Sequence, residues 1–446
     1  MPSFSIENFG CRVTEADASA LRRELLASGL TLADDHATAE VVVLNTCTVT
    51  GAADAQARDA VRKIHRANPE ARIVVTGCYA QRAPEELAAL DGVAFVVGNS
   101  HQAQIPGLIR ERPSAAGVRT DFVPLARLDD DAMSLARGPA KILTGDIFAQ
   151  TGVNIPLSGG TESSAPDRTR PILKIQDGCN NRCSYCVIPF VRGRSRSLAP
   201  GAVIDEVRAL VSAGVREIVL SGINLGSYGR DLTPRAALGD VVRRILDETA
   251  LEQLRFSSIE PQDVTEDFVA LVASSPRIAP HFHVPLQSGS DHILRAMHRW
   301  YRSAHYAERS QLIRRLLPDA AIGADVIVGF PGETGADFET TAEFIAALPF
   351  TYLHVFSFSE RPGTAAESLD ARVPAQVIRE RARALRALGE QKAAAFRASQ
   401  SGRSLRALTL ARSDDHSTEA LTGNYLKVRV PGRHPANEWH EVLVDN

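Results

Sequence analysis

Short apolar runs alternate with amphipathic segments along most of this 446-residue chain, and that rhythm restricts it to α/β architectures built on parallel sheets. Within residues 1–112 the runs are Phe4 to Phe9, Val41 to Asn45 and Ile73 to Thr76, with amphipathic stretches around Glu15 to Ser28 and Ala52 to Ala67. From residue 170 the rhythm resumes as six runs: Ile172 to Ile175, Glu217 to Leu220, Leu254 to Ile259, His281 to Leu286, Ala324 to Val328 and Leu353 to Phe358. Six strands with intervening helices predict a partial (β/α)6 barrel over 170–398. Residues 113–169 break the pattern with Pro113-Ser114-Ala115-Ala116-Gly117 and Ser158-Gly159-Gly160, and read as a linker; Ala140 to Phe148 is an unassigned strand or hairpin within it. Residues 399–446 carry short strands broken by Gly423-Asn424 and Pro431-Gly432, the pattern of a small β-barrel.

Composition narrows the class. A chain of this length with 44% hydrophobic residues is too long for one ordinary core and predicts several domains. There is no apolar run of 18 residues and no basic-then-apolar leader, so a cytoplasmic protein without a membrane segment is expected. Six cysteines are too few for a disulfide scaffold, and in a reducing compartment those that cluster read as metal ligands.

Three of them do cluster. Cys179, Cys183 and Cys186 form a CxxxCxxC loop directly after the first barrel strand, at the face where barrel enzymes place their chemistry. Three thiolates leave one iron of a four-iron cluster free to bind a substrate or cofactor, whereas a structural cluster takes a fourth cysteine and zinc knuckles use paired CxxC elements. Cys11, Cys47 and Cys78 are far apart in sequence, but each follows a predicted strand of the N-terminal domain. The carboxyl ends of parallel strands converge on one edge, so three thiols there can share a second cluster. The bland alternative is three buried structural cysteines.

The CxxxCxxC loop after the first strand of a partial barrel resembles the radical S-adenosylmethionine (SAM) superfamily, in which the open iron holds the methionine group of SAM and a 5'-deoxyadenosyl radical is produced. The second trio narrows the likeness. Asn45-Thr46-Cys47-Thr48-Val49-Thr50, Thr76-Gly77-Cys78-Tyr79-Ala80-Gln81, Ile188-Pro189-Phe190-Val191-Arg192-Gly193-Arg194-Ser195-Arg196-Ser197 and Leu421-Thr422-Gly423-Asn424-Tyr425 resemble the radical SAM methylthiotransferases over nearly the whole chain. The resemblance implies an N-terminal methylthiotransferase domain, a radical SAM domain and a C-terminal TRAM barrel. It implies two [4Fe-4S] clusters and SAM both as radical source and as methyl donor. One departure is Thr14, where the family usually has asparagine.

By the same resemblance, residues near the cofactor are Tyr185 beside the cluster loop, Gly222 and Asn224 after the second strand, Glu260 after the third, Gln287 after the fourth and Asp325 on the fifth. Ordinary loop capping is the competing reading for each. The Asn-Thr-Cys-Thr-Val-Thr segment and Ser221-Gly222-Ile223-Asn224-Leu225-Gly226-Ser227-Tyr228 look most like the branch that modifies C2 of N6-threonylcarbamoyladenosine beside the tRNA anticodon, at position 37. The alternatives are an isopentenyl-type adenosine in tRNA, an aspartate of a ribosomal protein or, from another class, a non-catalytic iron-sulfur or zinc protein that binds RNA. Expected partners are tRNA and a reductant such as flavodoxin or ferredoxin, with the sulfur donor left open. Between 372 and 412 lie Arg372, Arg379, Arg381, Arg383, Arg386, Lys392, Arg397, Arg403, Arg406 and Arg412 against only Glu380 and Glu390 as acids counted in the run, which favours an RNA partner over an ordinary solvated helix.

Overall fold

The computed structural model describes residues 2–110, 140–153 and 169–445. Two compact units are present: the first holds the N-terminal residues through 153 together with Ile188–Arg194, and the second holds the rest.

The first unit runs β1 (Ser3–Phe9), α1 (Arg12–Ala27), β2 (Thr31–Leu32), β3 (Val41–Thr46), α2 (Gly51–Ala67), β4 (Arg72–Gly77), α3 (Cys78–Arg82), α4 (Pro84–Ala88), β5 (Val93–Gly98), α5 (Ile105–Arg110) and β6 (Lys141–Leu143), with α6 (Ile188–Arg192) added from later in the chain. Its sheet is parallel throughout, in the order β2-β1-β3-β4-β5-β6. β3 is buried at every position because helices cover both faces of the sheet. One face packs Leu21 and Leu25 of α1 with Ile105, Leu108 and Ile109 of α5, and the other packs Ala57, Val61 and Ile64 of α2 with Tyr79 and Leu87. The strand order reverses between β1 and β3, and such a switch point opens a crevice beyond the strand ends. The stretch 140–153, placed in a linker by composition, contributes β6 to this sheet, paired parallel with β5 through Phe95 and Lys141. Its three residues are too few for a period to show. The remainder of the expected linker lies almost wholly outside the described residues.

The second unit begins with β7 (Ile172–Asp177), β8 (Arg196–Ser197), α7 (Pro200–Ser212), β9 (Glu217–Gly222), α8 (Leu238–Glu248), β10 (Gln253–Phe256) and α9 (Glu266–Ala273). It continues with β11 (His281–His283), α10 (Asp291–Ala296), α11 (Ser303–Leu316), β12 (Ala321–Val328), α12 (Gly335–Ala347), β13 (Tyr352–Ser357) and α13 (Ala375–Gln400). β7, β9 and β10 pair in parallel, as do β11, β12 and β13, and single parallel bridges at Leu254–Ile278 and Ser258–His283 join the two sets. The result is a partial six-strand barrel with its helices outside, α8 turning Val241, Val242 and Ile245 into the shared core. β13 is an edge, with no further strand beside it among the described residues.

Four more strands close the chain: β14 (Ser404–Ser413), β15 (Ser417–Thr422), β16 (Lys427–Pro431) and β17 (Trp439–Leu443). They form an antiparallel sheet, β16-β15-β14-β17, that bulges between Thr409 and Ser413 and curls until its two edge strands approach one another. This curled half-barrel is the small β-barrel expected of residues 399–446. It belongs to the same compact unit as the six-strand barrel. Buried Arg255 on β10 ties the two together, ion-paired to Glu217 at 2.6 Å and donating to the carbonyls of Thr422 (3.1 Å) and Gly423 (2.9 Å).

Candidate functional site

In the first unit, strand register aligns Phe9 with Thr46 and Thr46 with Gly77 on three adjacent strands. Cys11, Cys47 and Cys78 therefore leave the sheet at one level, within reach of each other at a strand spacing of about 4.8 Å. Cys11 is exposed, and Cys47 and Cys78 are buried. Close backbone approach is required here. Gly77 has φ +100°, and a Cβ on it would lie 2.4 Å from the Thr46 carbonyl, while one on Gly10 would lie 2.7 Å from the Cys47 Cβ.

The electrostatics single out Cys11. A hydrogen bond from Cys47 brings its thiol down to about 6, helped by the Arg192 charge and the first amides of α1. Cys47 is correspondingly pushed up, first by that same bond and then by burial, and burial also raises Cys78. Arg192 lies at the centre: its Nε donates to the Cys78 Sγ at 3.2 Å and its Nη2 pairs with Asp17 at 2.7 Å, both side chains 2% exposed. Asn99 donates to the Cys78 Sγ at 3.5 Å and to the Val191 carbonyl at 2.8 Å. Asp17, Asn99 and Arg192 were not singled out from sequence, because only folding carries α6 to the sheet edge. Thr14, the departure from the family pattern, donates its hydroxyl to the Cys11 carbonyl at 2.8 Å.

In the second unit the loop of Cys179, Cys183 and Cys186 follows β7 as predicted. It is pinned by Ser184, whose amide donates to the Met297 carbonyl at 3.0 Å and whose hydroxyl donates to that of Ala296 at 2.8 Å. Burial pushes the Cys179 thiol up to about 11. Arg299, another residue the sequence did not flag, donates to the Cys183 Sγ at 3.4 Å and pairs with Glu260. Burial raises the Glu260 carboxyl, and Arg299 opposes this.

The other expected residues divide by environment. Tyr185 packs on Ile293, Met297 and Phe330, and burial pushes its phenol well above the usual range. Gly222 is required by packing, since a Cβ there would meet the Gln176 Oε1 at 2.8 Å; that same oxygen accepts from the Asn224 amide at 2.7 Å. The Asn224 side chain reaches Cys179, and its Oδ1 is buried without a hydrogen-bond partner among the described residues, as is the Ser257 Oγ after β10. Orphaned buried oxygens at strand ends fit an absent polar ligand such as SAM. Gln287 adopts φ +64°, and its backbone is bonded to Asp325 and Ile327. Asp325 is committed to two imidazoles: its Oδ1 lies 3.0 Å from His283 Nε2 and 3.2 Å from His354 Nδ1.

The basic run is less available than composition implied. Carboxylates from outside it pair with Arg372 (Glu360), Arg381 (Glu333), Arg403 (Asp319) and Arg406 (Glu252). Arg386, Lys392 and Arg397 donate to backbone carbonyls rather than to carboxylates in the contacts described. The run thus stays positive at α13 but is not the unbalanced strip that counting within it suggested. No helix among the described residues is long and apolar enough to cross a membrane.

Comparison with known proteins agrees with this geometry. Residues 3–98 match the uncharacterized protein family UPF0004, and residues 173–345 match the radical SAM superfamily. Among solved structures, the radical SAM methyltransferase TsrM from Kitasatospora setae is similar in fold, with a TM-score of 0.57 at 17% identity, covering 82% of this chain and 77% of that one. The barrel, its cysteine loop and these matches define a radical SAM protein. Full-length relatives take the assignment further. The threonylcarbamoyladenosine tRNA methylthiotransferase MtaB of Aquifex aeolicus is 34% identical over 99% of both chains, and that of Bacillus subtilis is 34% identical over 97% of this chain and 91% of its own. The tRNA-2-methylthio-N(6)-dimethylallyladenosine synthase of Thermobifida fusca is 34% identical over 87% of this chain and 74% of its own. The chain belongs to the radical SAM methylthiotransferases, a family of transferases.

Proposed function

We propose that this chain adds a methylthio group to C2 of N6-threonylcarbamoyladenosine at position 37 of tRNA, in the cytoplasm, drawing electrons from a flavodoxin- or ferredoxin-type donor. The observation that carries the reading is the pair of three-thiol sites, each at the carboxyl ends of parallel strands in its own unit. The threonylcarbamoyladenosine enzymes of Aquifex and Bacillus align over almost their full length, which supports that nucleoside over dimethylallyladenosine.

Cys179, Cys183 and Cys186 would hold one four-iron cluster and Cys11, Cys47 and Cys78 the other; when bound, the first supplies an electron and an open iron for SAM, and the second a site for sulfur. The chain's own residues then orient and insulate. Arg299 places a positive charge at Cys183 and pairs with Glu260, opposing the upward push of burial on that carboxyl. Asn224 and Gln287 present polar groups at strand ends on either side of β10 for the amino-acid and ribose parts of SAM, Gly222 lets Gln176 brace that rim, and Tyr185 closes the apolar side of the loop. In the first unit, Arg192 and Asn99 donate to Cys78 and so stabilise thiolate charge.

Anaerobic reconstitution is expected to load about eight irons per chain and to give reductant-dependent SAM cleavage, whereas stoichiometric zinc without cleavage would overturn the enzyme reading. Nucleoside analysis of tRNA from a deletion strain then decides the substrate. Loss of 2-methylthio-threonylcarbamoyladenosine is expected. Its persistence in a host without a second such enzyme refutes the assignment, and loss of the dimethylallyl product instead favours the rival.

A further inference from the structure

Five side chains on the second half of the barrel form one hydrogen-bonded string. His281 Nε2 meets the Tyr352 hydroxyl at 2.8 Å, and that hydroxyl meets His283 Nδ1 at 3.0 Å. His283 Nε2 and His354 Nδ1 then share the Asp325 Oδ1. The string is buried at His283 and open at its other end, where the His354 side chain is 47% exposed and Phe356 is 44% exposed. Alternation along β13 explains the placement: Leu353 and Val355 pack outward with Ile378 and Leu388 of α13, so Tyr352, His354 and Phe356 share the opposite, barrel face. The His283 and His354 rings lie 5.1 Å apart, and Phe356 stands edge-on to His354 at 6.5 Å.

Two large rings left to solvent on the open edge of a barrel are a cost unless something covers them. The Cys183 loop is close by: the Ile259 amide donates to the His283 carbonyl at 2.9 Å, and the next residue, Glu260, pairs with Arg299, which donates to the Cys183 Sγ at 3.4 Å. We infer that His354, Phe356 and the Asp325–His283 pair form the seat for the purine base that is modified, ring faces stacking on the base while the imidazoles and the carboxylate meet its edge. This inference rests on the tRNA methylthiotransferase reading and names which residues of that site take the substrate. A base drawn out of its stack needs both elements, an aromatic platform and a few donors and acceptors on its rim. Asp325 has one acceptor oxygen beyond the one shared by the histidines, suited to an exocyclic N–H, and the His354 ring nitrogen opposite Nδ1 can serve a ring nitrogen. The same three residues could instead hold a metal, since their ligand atoms all lie within 4.8 Å of one another. The exposed rings beside them favour the base, because a metal needs no platform.

The test uses the holoenzyme with both clusters and a tRNA anticodon stem-loop carrying 2-aminopurine in place of the target adenosine. The wild type is expected to quench the probe on binding. His354→Ala and Phe356→Ala should keep wild-type iron content yet lose that quenching, and kcat/KM for methylthiolation of the natural tRNA should fall about tenfold or more. Wild-type quenching and turnover in both variants overturn the base seat. So does one equivalent of zinc or manganese in the wild-type holoprotein that His354→Ala releases. If the wild type itself makes no methylthio product on threonylcarbamoyladenosine tRNA, the functional reading fails first, and the seat fails with it.

Discussion

Replacing Arg255 with methionine should unseat the C-terminal sheet from the barrel. Arg255 and Glu217 are both fully buried and ion-paired at 2.6 Å, and the two remaining guanidinium nitrogens hold the carbonyls of Thr422 and Gly423 in the turn after β15. Methionine fills similar volume, so the cavity is small. The cost is an uncompensated buried carboxylate and two carbonyls stripped of donors. Breaking a buried pair from one side costs about 3–5 kcal/mol, and Arg170, 3.5 Å from the same Glu217 oxygen, retains part of the compensation and favours the lower end. Trp439 lies in β17 beneath the Arg406 guanidinium, 4.0 Å away, and in a Trp300→Phe background its fluorescence reports the sheet alone. With an m value of about 3 kcal/mol/M, the urea midpoint should drop by about 1 M. Arg255→Met with Glu217→Leu, which removes both charges, should recover most of the loss. A single variant within about 0.5 kcal/mol of wild type would refute the reasoning, as would a double variant no better than the single.

Further expectations concern the two sites and one helix. Gly77→Ala sets a Cβ 2.4 Å from the Thr46 carbonyl at φ +100°, so it should destabilise the first unit by about 2 kcal/mol or more and lower its iron content; full iron loading would refute the packing argument. Arg299→Met removes the positive charge at Cys183 and should make the barrel cluster harder to reduce, read as a more negative midpoint in an EPR-monitored titration; an unchanged midpoint would show the charge is screened. Asp337 completes the capping box of α12 with Thr334, and although burial opposes it, hydrogen bonds from Ser290, Thr334 and His292 hold its carboxyl down to about 2. Because that value is depressed below the unfolded one, its contribution is complete above about pH 4 and is lost as pH falls toward 2. Asp337→Ala should cost about 1 kcal/mol at neutral pH and flatten the acid limb of the cluster-free protein's stability, checked by urea melts across that range.

The strands that were legible are those with long β-branched runs or a barrel rhythm, such as Val41–Thr46 and Ala321–Val328. Val93–Gly98 was equally readable from Val-Ala-Phe-Val-Val and went unassigned, whereas Lys141–Leu143 is too short to carry a period. β15, Ser-Thr-Glu-Ala-Leu-Thr, has no clear apolar face because its pairing, more than its composition, makes it a strand. The basic run misled in degree, since its acid partners Glu252, Asp319, Glu333 and Glu360 come from distant sequence.

By itself the sequence determined the α/β class, the barrel and both cysteine trios, because strand periodicity and thiols at strand ends are local signals that survive without coordinates. Tertiary structure alone decided what surrounds them. Arg192 and Cys78 are 114 residues apart, Arg299 and Cys183 are 116 apart, and His354 meets Asp325 across 29. Those contacts place donors on the sulfurs and build the polar wall of the barrel. They depend on strand register and helix docking, which burial of the whole core sets and no short window of residues contains.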